Sequence, residues 1–297
     1  MRHVILGAGA VGGLMGAALA QEGEQVTLLV RPETFSQHPN RIFLDRAGSH
    51  TEVPVHVDTR LSGNADVLWI AVKANQLETA IATIPKNAAG ISAIIPLLNG
   101  IDHVALLRAR FDHASVVPAT IAVEVERTSP GHIIQRSPFV RLALSAVGEH
   151  KLEGIDAKLR HAGFACEFRS DEKTMLWSKL AFLAPFALAS TAADRSIGEI
   201  HADDAWRTRL ESAVGEACAV ATADGATVVR EQIMTTLKSL PGAMRSSMQK
   251  DVSAGRKPEL DAIGGAIVRA GRRYGLDVPT IRDLIANIEE RVNKEQR

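Results

Sequence analysis

The residues "HVILGAGAVGG", positions 3 to 13, limit the choice of fold more than any other stretch of the chain. A β-branched, apolar strand runs into Gly7, Gly9 and Gly12 at G-x-G-x-x-G spacing, and small and apolar residues then repeat at helical intervals. With a second strand, "QVTLLV", at 25 to 30, this is a βαβ unit. In such a turn Gly7 permits the tight bend, Gly9 leaves backbone open to a pyrophosphate, and Gly12 lets helix and strand approach closely. The first N–H groups of the helix have no partners within it, and its dipole favours an anion. Residues Gly7, Ala8, Gly9, Ala10, Val11 and Gly12 are therefore the expected dinucleotide-binding turn.

About 20 residues further on, an acidic side chain would hold a ribose 2′-hydroxyl, whereas an arginine would accommodate a 2′-phosphate. The chain reads "LLVRPE", with Arg31 at the decisive place and Glu33 beyond Pro32. A planar, always charged guanidinium suits a phosphate, so NADP(H) is the expected cofactor rather than NAD(H).

Strand and helix signals continue to alternate. "DVLWIAV" (66 to 72) is followed by a helical "NQLETAIATI", and "SAIIPLL" (92 to 98) is another strand. From 115 to 147 strands succeed one another between Ser-Pro turns, which predicts an antiparallel extension. Beyond about residue 170 helical stretches follow at 172–192, 203–224, 229–240, 243–254, 259–274 and 279–294, ending in a charged, solvated "EERVNKEQR". The expected class is α/β: an N-terminal Rossmann domain with a parallel sheet over 1–170, plus an all-α C-terminal domain over 171–297.

The 34 basic and 34 acidic residues cancel, so no overall field favours nucleic acid or an anionic membrane, and a small-molecule partner is expected. Cys166 and Cys218 stand far apart, outside any ligand cluster, and the ten histidines show no H-E-x-x-H spacing, so neither a disulfide nor a metal is expected. The N-terminus carries no secretory pattern, and the apolar run 176 to 189 is short for a membrane span and carries Lys179, so a cytoplasmic location is expected.

Lys179, within "LWSKLAF", places an ammonium in the segment that most resembles buried core. On an amphipathic helix a lysine commonly snorkels to solvent. Held among Leu176, Trp177, Leu180, Phe182 and Leu183, its pKa would instead fall toward neutrality, and a positioned ammonium can both stabilise and protonate an oxyanion. Alone, Asn99-Gly100 reads as a turn, Ser247 as a helix residue, Glu259 as a first-turn acid after Pro258, and Lys73 as a strand end.

Taken together, the glycine turn, Arg31, "AVKANQ" (71 to 76), "LLNG" (97 to 100), "LWSKLAF" (176 to 182), "SSMQKD" (246 to 251) and "KPELDAIGG" (257 to 265) resemble the ketopantoate reductase (2-dehydropantoate 2-reductase) family, in the family's order along nearly the whole chain. The resemblance implies NADPH-dependent reduction of a 2-oxo acid, as in pantothenate biosynthesis, with Lys179 as general acid. It implies further that Asn99 contacts substrate and cofactor, that Lys73 and Gln76 contact the cofactor, that Ser247 binds substrate, and that Glu259 assists Lys179. Two asparagines that such enzymes commonly place four and eight residues after the lysine are Leu183 and Ala187 here. Their amide contacts are lost, which points to a more apolar 2-oxo acid than ketopantoate. Another two-domain hydroxyacid or opine-type dehydrogenase, or an NADPH-binding regulatory protein, stays open, as does a homodimer through the helical domain.

Overall fold

The computed structural model describes residues 1–85, 90–111 and 114–295. Gln296 and Arg297 of the charged C-terminal end lie outside them. The strands are β1 (Arg2–Leu6), β2 (Gln25–Leu29), β3 (Arg41–Arg46), β4 (Ser49–Pro54), β5 (His56–Asp58), β6 (Val67–Ile70), β7 (Ala93–Pro96), β8 (Ser115–Val116), β9 (Ala119–Ala122), β10 (Val125–Ser129), β11 (His132–Gln135), β12 (Val140–Ser145) and β13 (Phe164–Arg169). The helices are α1 (Ala10–Gln21), α2 (Leu77–Ala82), α3 (His103–Arg110), α4 (Ile155–His161), α5 (Glu172–Ala193), α6 (Ile197–Ala202), α7 (Asp204–Ala223), α8 (Arg230–Lys238), α9 (Ser247–Ser253), α10 (Ala266–Arg273) and α11 (Pro279–Glu295). They divide into two compact units, one of residues 1–98 with 103–172, the other of 99–102 with 173–297. The first unit is thus not one continuous run: Asn99–Asp102 packs with the helices.

In the first unit six parallel strands lie in the order β5-β2-β1-β6-β7-β8. β6 and β7 are buried along their whole length, which explains their unbroken apolar sequences: helices cover both faces of such a sheet. Chain order reverses between β1 and β6, and in sheets of this kind ligands bind outside the carboxyl ends at that point. The glycine turn follows β1 there, and Gly7 donates its N–H to Leu29 at the end of β2.

The expected antiparallel extension is corrected in part. β8 joins the parallel sheet, while β9 and β12 pair antiparallel, as do β10 and β11. β11 runs parallel to β3, and β12 parallel to β13. The β3–β4 hairpin, unassigned from sequence, provides the edge on which β11 docks. This second sheet closes over α1, where Gly13 and Gly16 leave room for Ile133 and Ile42.

At the amino-terminal end of β1, His3 and Glu24 are buried together. The Trp69 indole can only donate, so His3 Nδ1, 3.0 Å away, accepts and Nε2 carries the proton, 3.4 Å from Glu24. Burial drives the His3 pKa down to about 4, against the opposing pull of Glu24. For Glu24, burial opposes ionisation but is outweighed by bonds from Lys158 and the N-terminus. Between 6.5 and about 4 the unfolded chain therefore binds the proton that native His3 refuses. Stability present above pH 6.5 falls as pH drops through that window, by up to about 3 kcal/mol from this residue. His3→Asn keeps an acceptor for Trp69 and cannot titrate; denaturant unfolding across that pH range should show a flatter profile.

The second unit is helical around α5. Trp177, Leu180, Ala181, Ala184, Ala187 and Leu188 are all buried in its core. The sequence expectation that no run approaches membrane-spanning length is revised. The helix takes in residues at both ends of the apolar run to reach 22, which suffices by length and composition, and 72% of its most apolar window is buried inside the protein.

Candidate active site

Each glycine of the turn meets a different demand. Gly7 has φ +102°, and a Cβ there would lie 2.7 Å from Val72. A Cβ on Gly12 would lie 2.1 Å from the Gly7 carbonyl oxygen. At Gly9, however, a Cβ would meet nothing within 4 Å, so the protein's own packing does not require glycine there. Space above Gly9 suits a ligand that must approach backbone. Gly9 is also the N-cap of α1 without a side-chain cap, and the first turn holds no acidic residue. The turn therefore fits a dinucleotide pyrophosphate.

Arg31 caps the 3-10 turn Pro32–Gln37, its carbonyl accepting from the Thr34 N–H and hydroxyl at 3.0 and 3.1 Å. Its side chain is exposed and unpaired among the described residues. Lys73 caps the corresponding turn Ala74–Gln76 after β6 and is half-buried, while Gln76 is exposed.

Within the helical unit the structure brings together Lys179, Glu259 and Asn99. Lys179 is half-buried on α5, and burial lowers its pKa to about 8 while the Glu259 carboxylate works in the opposite direction. The Asn99 amide donates to Glu259 at 3.2 Å. Gly100, at φ +87°, lets that segment close on Ala262: a Cβ would sit 2.3 Å from the Ala262 carbonyl oxygen. Ala262 belongs to a π-helical turn, Asp261–Gly265, a form that often marks functional sites.

Ser247 stands exposed at the start of α9 and is not hydrogen-bonded to this group. Ser246 is the buried partner: it caps α9 through the Gln249 N–H at 3.1 Å and accepts from Ser190 at 2.8 Å. Of the two adjacent serines, then, only Ser247 offers its hydroxyl to solvent. Leu183 is half-buried, but Ala187 is wholly buried. Of these two positions only Leu183 therefore presents surface to a ligand.

Several supporting residues carry no sequence signal. The Trp177 indole donates to Asp224 at 2.7 Å, and Tyr274 donates to the other oxygen of the same carboxylate, which sets the rotation of α5 two residues before Lys179. Arg269 joins Asp102 at 2.8 and 3.0 Å and also binds Asp261, holding the Asn99–Asp102 segment on the π-helical turn. These contacts link positions far apart in the chain, so no local spacing announces them.

Residues 3–147 match the family model "Ketopantoate reductase PanE/ApbA" and 171–292 match its C-terminal counterpart. An "uncharacterized oxidoreductase YkpB" of Bacillus subtilis is 28% identical, covering 97% of this chain and 98% of its own. A 2-dehydropantoate 2-reductase of Mycobacterium tuberculosis is 30% identical, covering 93% and 92% respectively. Among solved structures, a PanE/ApbA family ketopantoate reductase from Ralstonia eutropha superposes with TM-score 0.87 at 25% identity over 100% of both chains. A D-mandelate dehydrogenase with NADH and anilino(oxo)acetate shares the fold at TM-score 0.87 and 21% identity, again over 100% of both chains. With both halves matched in order and a relative at 30% identity over most of its length, the chain belongs to the ketopantoate reductase family and is an oxidoreductase.

Proposed function

We propose that this protein reduces a 2-oxo acid to the 2-hydroxy acid with NADPH, Lys179 giving the proton. A bound nicotinamide dinucleotide supplies the hydride. Residues 7 to 12 hold its pyrophosphate, Arg31 its 2′-phosphate, and Lys73, Gln76 and Asn99 the remainder. The Lys179 ammonium stabilises the charge that develops on the carbonyl oxygen and passes its proton to it. Glu259 favours the charged amine, Asn99 fixes that carboxylate, and Ser247 donates to the substrate carboxylate. The observation that carries the reading is a lysine whose pKa burial brings to about 8, beside a carboxylate that is itself held by an asparagine.

Leu183 decides the substrate class. An apolar side chain one turn beyond Lys179 offers no hydrogen bond to a substrate hydroxyl, so the preferred acid has an apolar side chain, with ketopantoate a poorer substrate. The shared fold with D-mandelate dehydrogenase supports this range, since the same architecture serves an enzyme named for a different acid. Purified protein with NADPH should consume the reduced cofactor fastest with apolar, branched or aromatic 2-oxo acids. Inactivity across such a panel that includes ketopantoate would overturn the assignment.

Arg31→Ala is expected to raise the KM for NADPH roughly 10- to 100-fold, the worth of a charged hydrogen-bonded phosphate contact, with little change for NADH. Equal effects on the two cofactors would show that Arg31 does not read the 2′-phosphate.

A further inference from the structure

The geometry points to a second residue that reads the same phosphate: we infer that Arg127 joins Arg31 in binding the cofactor's 2′-phosphate and in selecting NADP over NAD. This rests on the NADP reading above. Arg127 lies on β10, in the sheet that closes over α1, and outside every motif of the turn. Its Nη1 nevertheless reaches the glycine turn and donates to the Ala8 carbonyl at 3.2 Å.

That is the one hydrogen bond this guanidinium makes among the described residues, and no carboxylate pairs with it. Its surroundings differ in this respect. Glu126, the preceding residue, is bound by Arg136 at 2.6 Å, and Arg41 on the same sheet is bound to Glu52. A guanidinium carries five N–H donors in a planar fork, so four are left beside a turn shaped for phosphates.

Arg127 is also near the segment that follows Arg31. Its charge acts on His38, which follows directly on the 3-10 turn that Arg31 caps. His38 Nδ1 is buried with no hydrogen-bond partner. Arg127 is therefore bonded to Ala8 and close to the end of the segment that begins at Arg31. That segment leaves the end of β2, where the Rossmann arrangement puts the adenosine ribose. A phosphate monoester near neutral pH carries close to two negative charges. Two arginines match that charge better than one, and bonds from both sides fix its position.

The test is equilibrium binding of NADP⁺ and NAD⁺, which differ only in the 2′-phosphate, to the intact protein by titration calorimetry. In Arg127→Gln the preference for NADP⁺ over NAD⁺ should fall roughly tenfold or more, with Arg127→Lys between the two. Losses in Arg31→Ala and Arg127→Gln should not add in the double variant, because both act on one phosphate. A preference that survives Arg127→Gln, whether both nucleotides weaken equally or neither does, would overturn the proposal. Equal weakening would mark Arg127 as a brace for the Ala8 carbonyl. If the unaltered protein binds NAD⁺ as tightly as NADP⁺, the NADP reading falls and this inference falls with it.

Discussion

Lys179→Met is expected to lower kcat by roughly 10²- to 10⁴-fold, the usual worth of a positioned proton donor, while the thermal midpoint holds or rises. The two halves of that outcome have one cause. A lysine whose folded pKa is about 8, against 10.5 when unfolded, is charged in both states at pH 7 and bears a desolvation cost only in the native one. Methionine fills similar volume without the charge, so the fold gains what the chemistry loses. In the unaltered enzyme the reduction rate should fall as pH rises through about 8, because only the ammonium can give a proton. Glu259 raises this pKa, so Glu259→Gln should move the fall to lower pH. Near-normal turnover in Lys179→Met, or a pH profile that ignores Glu259→Gln, would remove Lys179 from the reaction.

Gly100→Ala should be nearly as damaging to turnover from a position that performs no chemistry. The residue sits at φ +87°, which costs a side chain about 1 kcal/mol or more, and the new Cβ would fall 2.3 Å from a backbone oxygen that cannot swing aside. The segment must lift from the π-helical turn, taking Asn99 away from Glu259. A displacement on the order of 1 Å in such a group can cost about 10²-fold in rate. We expect that loss in kcat, together with a thermal midpoint several degrees lower. Gly9→Ala makes the instructive contrast, because among the described residues nothing beyond its own chain neighbours lies within 4 Å of the new methyl. Its thermal midpoint should not move, whereas calorimetric affinity for NADPH should drop. A destabilised Gly9→Ala that still binds NADPH normally would contradict the role given to that open space.

Structure with a local cause is legible in the sequence. The glycine turn and the parallel strands around it follow from period, turn chemistry and burial on both faces of a sheet, each expressed within a few neighbouring residues. The helices beyond residue 170 were legible from apolar periodicity punctuated by Gly225, Pro258, Gly275 and Pro279. By contrast, β3 and β4 escaped notice because their outward positions are polar and exposed, and their order comes from pairing with each other and with β11.

What the sequence determined by itself is thus the architecture and the residue types available to the chemistry: a dinucleotide turn, an arginine after the second strand, and a lysine in an apolar helix. Only the tertiary structure decided which side chains within each unit lie together. It moved Asn99–Asp102 into the helical unit, set the Asn99 amide on Glu259, buried Ser246 and left Ser247 exposed, and sealed Ala187 inside the core. The reason is physical. Helix and strand formation depend on neighbours a few residues away, whereas a lysine's proton affinity and the aim of an amide are set by burial and by charges that lie tens to hundreds of residues away in the chain.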